Sequence, residues 1–132
     1  MKLQILSAAL LLSLSQLSFA SSEPASCPTV TALQSVGVNV VVKDQGKWVG
    51  FVQADNFSTN EKWSFVFGKF KAKNEDDAKS QANKAISTLN LDKGPMPFEI
   101  EGKPGWTCSY KDNSGHKAAT FTPPLEAFKS LI

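Results

Sequence analysis

Cys27 and Cys108 are the only cysteines among 132 residues, and a bond between them would constrain the fold more than any other feature of the chain. Two cysteines in an oxidising compartment admit one pairing. Joining them closes a loop of about 80 residues and removes on the order of 4 kcal/mol of chain entropy from the unfolded state. It also forces the first element to lie beside one near the far end of the chain. A reactive thiol or a metal ligand finds little support. Neither cysteine belongs to a Cys-x-x-Cys, and His116 is the only histidine.

The oxidising compartment is indicated by the opening residues, MKLQILSAALLLSLSQLSFASS. Lys2, an apolar run from Leu3 to Phe19 and small residues around Ala20 have the form of a secretory signal peptide over residues 1–20, cleaved before Ser21. Ser13, Ser15, Gln16 and Ser18 interrupt the run, which falls short of the roughly 20 apolar residues a permanent span needs. Pro24-Ala25-Ser26 before Cys27 does not resemble a lipid-attachment box. Residues 21–26 read as a flexible lead and 27–132 as a single disulfide-stapled domain. The expected location is secreted or periplasmic, with no stable membrane insertion after cleavage.

Without the signal the chain keeps 13 lysines against 12 acids, a net charge of +1 by difference. Every basic residue is lysine. Arginine is the side chain that reads phosphate and guanine bidentately, so its absence argues against a nucleic-acid partner.

Local patterns place the elements. Pro28 and Thr29 open a short helix that runs to Val36 and stops at Gly37. Residues 38–54, VNVVVKDQGKWVGFVQA, form a hairpin about Asp44-Gln45-Gly46. Trp63, Phe65 and Phe67 share one strand face, and Phe70 continues the row if a bulge falls at or next to Gly68. The lysines among them, Lys62, Lys69, Lys71 and Lys73, then form the solvated side of a core strand rather than a stacking platform for ligands. Residues 74–90 make the main helix: Asn74 caps it, Glu75, Asp76 and Asp77 offset the helix dipole, and Ala78, Ala82, Ala85, Ile86 and Leu89 form its apolar stripe. Residues 91–105 hold three prolines and three glycines and read as loop, apart from a short strand at 98–100. Trp106, Cys108 and Tyr110 alternate on a strand, DNSG turns, and His116–Phe121 returns. Pro123-Pro124 precedes an amphipathic tail helix with Leu125, Phe128, Leu131 and Ile132. The fold class is α+β: an antiparallel sheet of about five strands, one main helix on one face, and short helices at either end.

The stretch PGWTCSYKDNSGHK, residues 104–117, gathers the rare side chains. Acyl transfer would need a nucleophile, a base and an orienting acid. Asp112, Ser114 and His116 supply those types, but within a turn and without a Gly-x-Ser-x-Gly elbow. Glu99 and Glu101 would share a strand face as a glycosidase pair might, yet sit among prolines and glycines as ordinary solvated charge. Asn56-Phe57-Ser58 is a glycosylation sequon that matters only in a eukaryotic host. No enzyme activity is expected.

SCPTV, Trp48, KWSFVFG, the Ala-rich helix, PGWTCSY and TFTPP together resemble a family of small exported proteins, described as a domain of unknown function, from Gram-negative bacteria that live inside host cells. The resemblance implies export and no agreed activity, and some members carry a haemin-binding label. Haem ligands come from His, Tyr, Met or Cys, which singles out His116, Tyr110 and Met96. No Cys-x-x-Cys-His exists for covalent attachment. The expected function is that of a secreted, non-enzymatic binding protein, in the manner of an effector or virulence-associated factor, acting on a host or envelope partner. Its contacts would be Met96 to Phe98, the 112–116 turn and exposed aromatics. Haemin or another small ligand is the first alternative, a hydrolase with an unrecognised site the second, and no cofactor is assigned. The exported protein is expected to begin at Ser21, which N-terminal mass spectrometry checks; an intact Met1 would contradict it.

Overall fold

A computed structural model describes residues 23–100 and 102–126. The signal segment, Glu101 and residues 127–132, which hold most of the tail helix expected after Pro124, lie outside the described residues. Helix α1 spans Val30–Val36, strand β1 Val40–Asp44, β2 Lys47–Asp55 and β3 Trp63–Phe70. Helix α2 spans Glu75–Ile86, followed by β4 Asn90–Ile100, β5 Lys103–Lys111 and β6 Lys117–Thr122. The strands form one sheet in the order β1-β2-β3-β6-β5-β4, antiparallel throughout.

The sheet has six strands rather than about five, because the Pro/Gly-rich segment expected as loop is an edge strand, β4. An edge needs hydrogen bonds on one side only, so prolines can stand where a central strand would exclude them. The irregular register around Lys93–Met96 takes up Gly94 and Pro95. The main helix is also shorter than expected. It stops at Ile86, where the Ser87 hydroxyl donates to the Lys84 carbonyl and the Thr88 hydroxyl to that of Ala85. The expected bulge falls next to Gly68: Trp48 opposes Phe70 while Val49 opposes Gly68, leaving Lys69 as the extra residue. That extra residue keeps Phe70 in the row of Trp63, Phe65 and Phe67, all fully buried.

The register defines two sheet faces. On the first, Phe65 and Phe67 lie opposite Thr120 and Ala118, which lie opposite Cys108 and Tyr110. Helix α2 covers the β1–β3 half with Ala78, Ala82 and Ile86, the two alanines small enough to let it lie close. The N-terminal segment covers the β5 side. There Cys27 is bonded to Cys108, and the buried Tyr110 hydroxyl donates to the Pro28 carbonyl at 2.6 Å. The segment then crosses to α2, where the Asn83 amide accepts from Val38 N–H at 2.8 Å and donates to its carbonyl at 3.1 Å. A side chain thus continues the backbone pairing just ahead of β1. Gly37 at the end of α1 has φ of 75°, and a Cβ there would lie 2.8 Å from Asn83 Oδ1, so glycine is required twice over.

The second face is apolar as well. Strand alternation puts Val40 and Val42, Val49 and Phe51, Val66, Ala119 and Phe121, and Met96 and Phe98 on it, across five of the six strands. Phe98 packs on Phe121 with ring centroids 5.3 Å apart. Phe98 lies opposite Gly105, where a Cβ would come within 2.8 Å of its ring. After β6 the chain turns across this face, the Leu125 N–H donating to Ser64 Oγ at 2.9 Å.

Replacing both cysteines by alanine is expected to lower the unfolding free energy by about 4 kcal/mol, and Tyr110→Phe by about 1–2 kcal/mol because the Pro28 carbonyl loses its donor. Urea unfolding measures both. An unchanged midpoint for the double cysteine variant would contradict the role of the cross-link.

Candidate functional site

The turn between β5 and β6 is organised by one carboxylate. Asp112 Oδ1 accepts from the N–H groups of Ser114 at 3.0 Å and His116 at 2.7 Å, as Asp does in turns of this kind. Its Oδ2 lies 2.7 Å from His116 Nδ1. Burial alone would push the Asp112 carboxyl up. The hydrogen bonds from the His116 ring and from the two N–H groups, with the charge of the imidazole, outweigh burial and hold it below the ordinary 3.8. The Asp112 side chain is 2% exposed and that of His116 29%.

The imidazole is fixed on its other sides by the aromatic row of β3. Its ring lies tilted on Phe70 at 4.5 Å between centroids and meets Phe67 edge-on at 6.3 Å. With Nδ1 turned to Asp112, Nε2 is the ring atom left to meet a ligand. Beside it is a groove of about 300 Å³ between the turn and the last turns of α2, walled by Phe70, Gln81, Lys84, Ala85, Thr88 and Ser114. The groove thus offers a clamped imidazole, an ammonium and a hydroxyl against an apolar wall.

The structure does not bring the three candidate haem ligands together. Tyr110 lies in the core beneath the N-terminal segment, 2% exposed, and burial pushes its hydroxyl up to about 12 despite the Thr120 hydroxyl beside it. Met96 is half-buried on β4 opposite Thr107, on the second face. His116 stands at the rim of the first. Ser114 contributes an N–H to Asp112, and Glu99 is exposed on the edge strand. Among the described residues no group of three or more His, Cys, Asp or Glu is placed to hold a metal ion, and no helix is long and apolar enough to cross a membrane.

On the second face a broader groove of about 470 Å³ is lined by Val66, Ser109, Lys117, Ala119, Phe121 and Leu125. Sequence reading missed this surface. The alternation of Ala118-Ala119-Thr120-Phe121 signals one half of it, but the expected short strand at 98–100 reaches Phe98 without Met96 or the rest of β4.

These features define a small α+β domain, closed on one sheet face by two helices and a disulfide and bearing a groove on each side. Residues 26–122 match the domain of unknown function DUF4949, and the chain belongs to that family. No curated protein and no solved structure matches it.

The folded-state value of Asp112 lies below its ordinary value, so its carboxylate stabilises the fold fully above about pH 4, and the contribution is lost as pH falls through the folded value. Asp112→Asn is therefore expected to lower stability at neutral pH and to flatten the acid limb of the stability–pH curve. Thermal unfolding between about pH 2 and 7 checks this. An acid limb as steep as that of the parent protein would contradict it.

Proposed function

We propose that the protein is a secreted or periplasmic, non-enzymatic binding protein that engages a host or envelope partner through the second face of its sheet. The observation that carries this reading is the half-buried apolar row Val66, Ala119, Phe121, Phe98 and Met96, gathered on the face opposite α1 and α2 and bordering the groove beside Leu125. Contiguous apolar surface of this kind marks contact sites. Two of its members, Met96 and Phe98, belong to the segment that the sequence already singles out as a contact. The intramolecular disulfide agrees with an oxidising compartment.

A second reading, a small-ligand protein with haemin as the named candidate, is favoured by the clamped imidazole alone. It rests on His116, since Tyr110 is buried in the core and Met96 lies on the other face. A Soret shift on adding haemin that disappears with His116→Ala would support it.

For the leading reading, a photoreactive phenylalanine analogue at position 121 is expected to cross-link a discrete partner in host or envelope material. The same group at exposed Gln34 on α1 should not. Equal labelling from both positions, or none from 121, would remove the second face as the contact surface.

A further inference from the structure

We infer that the groove beside His116 binds a single carboxylate, held between the imidazole Nε2 and the Lys84 ammonium. This site is separate from the sheet face proposed above to meet a partner, and it stands or falls without it.

Charge balance selects the ligand class. The charged side chains lining the groove are Asp112, His116 and Lys84. Lys69, Lys79 and Lys111 each pair with an acid, whereas Lys84 makes no ion pair among the described residues. Asp112 is already engaged by His116 and the turn N–H groups, which leaves the Lys84 ammonium as the groove's uncompensated positive charge. One monoanion neutralises that charge and a phosphate dianion overshoots it. The all-lysine composition points the same way, because the forked donor suited to phosphate is missing.

The site is organised before any ligand arrives. Asp112 holds Nδ1 and the turn backbone with three hydrogen bonds, and Phe70 supports the ring face, so Nε2 loses little freedom on binding. The groove lies at the C-terminal end of α2, where exposed carbonyls would repel an anion. Here those carbonyls are occupied: Lys84 O by the Ser87 hydroxyl, Ala85 O by the N–H and hydroxyl of Thr88, and Ile86 O by Leu89 N–H. Phe70 and Ala85 supply an apolar wall, which suits an acid with a small hydrophobic body.

Benzoate is the probe, with benzamide as its uncharged counterpart. Titrated into the oxidised full chain, benzoate is expected to give saturable shifts of the His116 ring resonances, and benzamide none. Lys84→Met, a substitution on the helix surface, should weaken benzoate about tenfold, as expected for the loss of one charge-assisted contact. A tripeptide ending in phenylalanine, compared with its C-terminal amide, distinguishes a peptide terminus from a small organic acid as the source; selective binding of the free acid by either probe supports the site. Equal shifts from benzoate and benzamide, or an affinity unchanged by Lys84→Met, would overturn it. His116→Gln adds a second test if circular dichroism shows it folded, and Lys84→Met carries the conclusion if it is not.

Discussion

The clasp between the N-terminal segment and β5 is the constraint on which the rest of the structure depends. The Cys27–Cys108 bond and the Tyr110–Pro28 hydrogen bond fasten residues 27–38 across the first face of the sheet. Helix α2 packs mainly on the β1–β3 half of that face, so without the clasp the β5 side would lose most of its cover. Leu33, fully buried in α1, and Val38, held by Asn83, would lose their places with it. A domain of this size has a net stability of order 10 kcal/mol, of which a cross-link over about 80 residues is a large share.

The same first face positions the imidazole. Lys69, bulged out of register, turns Phe70 inward, and Phe70 becomes the surface on which His116 lies. Asp112 closes the turn and fixes the ring in one stroke, so the only histidine stands on a rigid strand pair beside a helix end. The two faces of the sheet thus separate two properties: one is sealed by helices and ends in the His116 groove at its rim, the other carries half-buried apolar side chains beside the buried Phe51.

Much of this was legible in the sequence wherever one periodic signal dominated. The aromatic row of β3, the capped Ala-rich helix and the hairpin at Gln45-Gly46 follow from alternation, capping and turn chemistry within a few residues. The failures have physical causes. Prolines and glycines at 94–105 obscured β4 because an edge strand tolerates what a central strand does not. The turn cluster after β2 hid Phe57, which is 1% exposed and meets Phe65 edge-on; its burial depends on tertiary packing that no local pattern reports. The Asp112–His116 pair was visible as residue types in a turn, but the stacking on Phe70 joins positions far apart in the chain. The apolar second face could be seen only once the strand order was known.

The central claim is that the two sheet faces differ in exposure, one sealed by the helices and the N-terminal segment and one only half-covered. Solvent paramagnetic relaxation of the methyl groups tests it most directly. The account predicts strong relaxation at Val66 and Ala119 on the second face and little at Val52 and Ala118, their counterparts on the first. Equal protection of both sets would contradict it.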